Sequence, residues 1–212
     1  MLNDWALDNL QVIRALMESS VIYRRAVAPV MGVAGMIGIT AGVLGAVLNL
    51  EPVRLFAAYW VLVALVCLTV AFLMIRRQAL KEVEPFWTPP TRRVAQALAP
   101  AFLAGLVIAV VFYFADPSDP QTVRLLVPIW MVLYGLAMHA AGFFMPRGFR
   151  LFGWGFVGGG LAVLVLMNQL SKPDLSPPDV PVANLAMGAM FGGGHAAYGL
   201  YLHFTKKRGN EA

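Results

Sequence analysis

The chain has 212 residues, of which 59% are hydrophobic and only 13% charged, and its mean hydropathy is +0.72. Soluble domains run nearer 45–50% apolar and about 25% charged, so the composition excludes a water-soluble enzyme, a disordered chain and a disulfide scaffold. The net charge of +5 and the pI near 9.7 do not indicate a nucleic-acid binder. The basic residues fall in short clusters between apolar runs, with no basic stripe interleaved with aromatics. No nucleic-acid partner is expected.

The first 25 residues carry Asp4, Asp8, Arg14 and Glu18, with no uninterrupted apolar core, and so predict no cleaved signal. Residues 1–25 are expected to be a cytoplasmic amphipathic helix, with Trp5, Leu10, Ile13, Met17 and Val21 recurring at helical spacing. Such a helix can lie in the membrane interface, Trp5 at headgroup depth and Arg24 and Arg25 near anionic lipid. It can equally pack beneath its own bundle.

A bilayer core about 30 Å thick needs roughly 20 apolar helical residues. Within 26–205, six stretches qualify: about 27–50, 53–75, 95–115, 122–145, 151–171 and 182–204. Asn49-Leu-Glu-Pro52, Asp116-Pro-Ser-Asp-Pro120 and Lys172-Pro-Asp-Leu-Ser-Pro-Pro-Asp-Val-Pro181 interrupt them, because proline stops helices and charges do not rest in hydrocarbon. Thirteen of the sixteen Lys and Arg residues fall on one side, and only Arg54, Arg124 and Lys172 on the other. The positive-inside rule then puts both termini, including the tail 206–212, in the cytoplasm. The fold class expected is an all-α, six-span bundle with an N-terminal interfacial helix.

The loop 76–93 is the longest cytoplasmic connection expected, and Phe86-Trp87 before Pro89-Pro90 gives it an interfacial anchor; it is the candidate docking surface, against the weightier reading of a plain connector. The second and fourth spans align at an offset of 70. Val53-Arg54-Leu55 matches Val123-Arg124-Leu125, and Trp60 matches Trp130. The fourth and sixth spans share His139-Ala-Ala141 and His195-Ala-Ala197. Repeated hairpins of one orientation are one explanation, as in several transporter folds. Chance likeness among Leu/Val/Ala-rich helices is the other.

Glycine is placed periodically. At about 100° per residue, Gly32, Gly35, Gly38, Gly42 and Gly45 share one face of the first span. Small residues let backbones approach closely, within one chain or between copies in a homo-oligomer. No Asp, Glu, Lys or Arg lies deep in a span, which leaves His139, His195 and, near the cytoplasmic end, His203 as the ionisable groups at depth. His139 shares a helical face with Gly135 and Gly142, and His195 shares one with Gly188, Gly192 and Gly199. Two imidazoles on glycine-lined stripes are what a haem b between two helices requires. The plainer reading, a neutral imidazole bonded to a backbone carbonyl or to Tyr134, Tyr198 or Asn184, carries more weight. No metal site is expected, since nothing else at that depth supplies carboxylates or thiolates.

The stretch Asn9-Leu-Gln-Val-Ile-Arg14 through Met17 and Tyr23-Arg24, with the closing Phe191-Gly-Gly-Gly-His195-Ala-Ala-Tyr198-Gly199, resembles a family of small bacterial membrane proteins of unassigned function. The resemblance implies an inner-membrane protein and brings no catalytic residues with it. The function expected is a non-enzymatic binding or sensing protein, or a subunit of a membrane complex, that meets a partner through its cytoplasmic helix and loop. A haem- or quinone-contacting electron carrier using His139 and His195 stands second. A small transporter stands third, weakened by the lack of acidic groups for ion coupling. No clustered acid, base or nucleophile points to catalysis.

Overall fold

Apolar runs of this length become helices because hydrocarbon offers backbone N–H and C=O groups no other partner. The computed structural model of the chain describes residues 2–48, 53–82, 85–114, 121–145, 148–170 and 180–209. Among them it is entirely helical, with no strand. The elements are α1 (Leu2–Val47), α2 (Val53–Lys81), α3 (Pro89–Phe114), α4 (Gln121–Ala141), α5 (Gly148–Leu170), α6 (Val180–Met187), a π-helical segment (Gly188–Gly193) and α7 (Gly194–Gly209). Four stretches are long and apolar enough to cross a membrane: Ala26–Val47, Arg54–Lys81, Pro89–Phe114 and Gly148–Leu166. The apolar part of α4, Leu125–Ala141, is shorter.

Two boundaries differ from the sequence expectation. No break separates residues 2–25 from the first span, and α1 is one helix of 46 residues. No glycine or proline stands between Tyr23 and Val27 to stop it, and Pro29 is carried inside the helix. Likewise α2 continues through Arg76 and Arg77 to Lys81, so the connection to α3 is much shorter than 76–93.

The helices pack as two close antiparallel pairs with α2 and α3 outside them. α5 lies along α4, α1 lies along the α6–π–α7 element, α3 flanks α4, and α2 bridges α1 and α3. Both pairs are seamed by glycine. Along α1, a Cβ on Gly35 would stand 2.5 Å from the Ala196 nitrogen, one on Gly38 2.7 Å from the Gly192 Cα, and one on Gly42 2.6 Å from the Gly188 Cα. Gly45 faces Asn184 in the same way, and Gly199 faces Gly32. The α1 stripe, which suits packing within or between chains, is therefore used within the chain. In the second seam a Cβ on Gly135 would stand 2.6 Å from the Gly153 oxygen, and one on Gly153 2.5 Å from the His139 nitrogen.

The main core lies between these pairs, where Phe56, Ala57, Trp60, Leu126, Met131, Phe156 and Met187 pack together. A second core, of Val27, Met31, Met138, Phe149 and Tyr198, sits toward the other end.

Candidate functional site

The seam register explains where His195 points. In an unbroken α-helix Gly188, Gly192, His195 and Gly199 share one face, and the histidine would press on α1. The neighbours of α1 are instead Gly188, Gly192, Ala196 and Gly199. The π segment inserts one residue into the winding, which delays the helix by about 100°. Ala196 takes the seam position and His195 is turned out of it, so the expectation that His195 lies on the glycine stripe is corrected. Three successive glycines, Gly192-Gly-Gly194, are the sequence signal for weak helix here.

Turned this way, His195 enters a cage of rings contributed by α4, α5 and the π segment. Tyr134 and Phe152 lie with ring centroids 5.3 Å from the imidazole, and Phe156 lies at 6.1 Å. Tyr134 meets Phe156 at 5.0 Å and Phe191 at 5.3 Å, and stacks on Phe102. The histidine is 9% exposed, and both of its ring nitrogens are engaged. Nδ1 lies 2.5 Å from the Phe191 carbonyl oxygen and Nε2 2.5 Å from the Tyr134 hydroxyl. A carbonyl only accepts, so in the neutral ring Nδ1–H donates to Phe191 and Nε2 accepts from the Tyr134 O–H. The imidazole thus adds a second donor to a carbonyl that also accepts the Gly194 N–H, and ties the last element to α4.

His139 is placed otherwise. It lies five residues after Tyr134, about 140° further round α4, and its ring meets Phe143 at 5.3 Å and Trp154 at 5.2 Å. Its Nδ1 is buried without a hydrogen-bond partner. The glycines beside each histidine are filled by a neighbouring helix: Gly135 and Gly142 by α5, Gly192 and Gly199 by α1. The two imidazoles do not face a common gap, and His195 keeps no lone pair free for iron. These residues, so arranged, do not fit a bis-histidine haem. Nor do three His, Cys, Asp or Glu side chains cluster among the described residues.

A second polar lock closes the far end of the α1 seam. Asn184 is fully buried. Its Oδ1 accepts the Trp60 indole N–H at 2.8 Å, and its amide donates to the Val180 carbonyl at 3.1 Å. Beside it the Tyr59 hydroxyl donates to the Ala41 carbonyl at 2.7 Å. The matched tryptophans of the offset-70 repeat therefore do different work, because Trp130 donates to the Gly105 carbonyl at 3.1 Å. The Trp60–Asn184 pair spans 124 residues and leaves no local trace in the sequence.

Of the expected partner contacts, Phe86 packs edge-on against Phe72 of α2 at 5.1 Å and stacks with Trp87, which is largely exposed. The side chains of Trp5, Arg24 and Arg25 lie outside the described residues.

The helices and their polar locks define an all-α protein with helices suited to membrane insertion. No family model, curated protein or solved structure matches the chain at a significant level.

Proposed function

We propose that the chain is an integral membrane protein of six spans, with both ends in the cytoplasm, that acts as a non-enzymatic binding or sensing subunit of a membrane complex. Two observations support six spans over four. α4 has 21 residues, about 31 Å of helix, enough for a bilayer core. The α6–π–α7 element runs from Val180 to Gly209, long enough to cross a bilayer core. The surplus of Lys and Arg on one side supports the orientation.

The observation that carries the function is the continuity of α1. The helix proposed to meet a partner through Trp5, Arg24 and Arg25 is the same helix whose membrane half lies backbone to backbone on the π segment. A force or contact at its cytoplasmic end is transmitted to a seam without flexible side chains to absorb it. The exposed Trp87 at the α2–α3 connection offers a second contact on that side. The bacterial inner membrane is the setting this reading assigns. Transport is the second reading, favoured by the interrupted last helix beside a buried histidine.

Deleting residues 1–24 is expected to move the chain, solubilised gently from its native membranes, from a larger complex to its own mass while the bundle keeps its thermal midpoint. A full-length chain that migrates alone overturns the reading. A periplasm-active reporter fused after Ala212 is expected to stay silent, and an active one overturns the orientation.

A further inference from the structure

α5 starts at Gly148, and the first turn of a helix leaves N–H groups without intrahelical partners and carries a partial positive charge. No acidic side chain stands in that turn. The Tyr198 hydroxyl from α7 is directed at this helix start, 2.7 Å from where a Cβ on Gly148 would stand. Tyr198 is 8% exposed, and its hydroxyl is buried with no hydrogen-bond partner. Its ring is fixed by stacking on Phe152 at 4.7 Å and by an edge contact with Phe149 at 5.6 Å. A rigidly held donor in such a place is costly unless something accepts from it.

Within the same turn Arg150 holds its guanidinium 5.4 Å above the Phe143 ring. The helix start thus carries backbone N–H groups, with the Tyr198 hydroxyl on its α7 side, the Arg150 guanidinium on its α4 side and no acidic side chain in its first turn. Helix N-termini accept phosphate for this reason, and arginine matches its oxygens in pairs. Directly beyond lie outward apolar side chains, with Leu151 73% and Trp154 57% exposed. A phosphate carried on acyl chains suits both halves of the site.

We propose that the N-terminus of α5 binds the phosphate of an anionic phospholipid. The Tyr198 hydroxyl donates to it from the α7 side and the Arg150 guanidinium from the α4 side, and the acyl chains lie along Leu151 and Trp154. The proposal needs the helix start at headgroup level, but not the partner reading, so either can fail alone.

The test is lipid binding to the purified, delipidated full chain, titrated with phosphatidylglycerol, with phosphatidylcholine, and with inorganic phosphate alone. Phosphatidylglycerol is expected to bind at least about tenfold more tightly than phosphatidylcholine, and Y198F and R150Q each to lose about tenfold, the worth of one hydrogen bond to a charged group. Y198F keeps the ring and its stacking. Should it fail to fold, G148A pushes the hydroxyl off the helix start and is expected to give the same loss. Equal binding of the two lipids, or unchanged binding in Y198F or G148A, overturns the proposal. Inorganic phosphate that competes at equal concentration assigns the site to free phosphate and overturns the lipid.

Discussion

Replacing Gly192 by alanine is expected to destabilise the bundle by about 3 kcal/mol, at the upper end for overpacking a close contact. In a domain of this size that corresponds to a fall in melting midpoint of roughly 6–12 °C. A Cβ at this position would collide with the Ile39 nitrogen and stand 2.6 Å from the Gly38 carbonyl carbon. Both are backbone atoms of α1, so no rotamer change relieves the clash, and the two helices must part. Gly155→Ala and Gly158→Ala on the outward face of α5 are the controls. A Cβ at either meets nothing within 4 Å, and alanine favours helix over glycine by up to about 1 kcal/mol. Thermal unfolding in detergent is expected to show a large fall for Gly192→Ala beside no change or a small rise for the controls. Equal falls in all three would mean that the α1 seam is not the close contact described.

Much of this seam is legible in the amino-acid sequence. Gly32, Gly35, Gly38, Gly42 and Gly45 repeat at helical spacing, and a face without side chains must be covered by another backbone. The partner and its register are not legible. Gly188, Gly192 and Gly199 are visible as a stripe, but a stripe drawn at about 100° per residue includes His195. Only the π segment replaces it by Ala196. A winding defect of one residue has no local code beyond low helix propensity, because neighbouring helices decide whether the extra residue is accommodated. The limits of α1 and α2 escape hydropathy for a related reason. Charged residues such as Arg76 and Arg77 end a hydrophobic run without ending a helix, so hydropathy marks where the apolar run stops while the helix continues to Lys81. The polar locks lie out of its reach altogether. Trp60 and Asn184, or Tyr134 and His195, are joined by tertiary packing across 124 and 61 residues.

The coupling of Tyr134 to His195 is the second result expected to be large. His195→Leu removes both hydrogen bonds of the ring and part of its packing, leaving the Tyr134 hydroxyl unpaired and the Phe191 carbonyl with only the Gly194 N–H, at an expected cost of about 3–4 kcal/mol. Tyr134→Phe keeps the aromatic contacts and leaves only Nε2 without its donor, at about 1–2 kcal/mol. In the double variant the hydroxyl and the imidazole are both gone, so neither is stranded. The two costs should then fall short of adding by about 1 kcal/mol, the scale measured for hydrogen bonds between membrane helices. Amide exchange distinguishes the consequences further. Losing the Nδ1–H donor frees the carbonyl that ties the ring to the π segment, so the amides of residues 192–195 are expected to exchange faster in His195→Leu than in Tyr134→Phe. Strict additivity together with unchanged exchange would show that the aromatic cage alone holds this helix. The histidine would then owe its position to packing, and the π segment would owe nothing to the histidine.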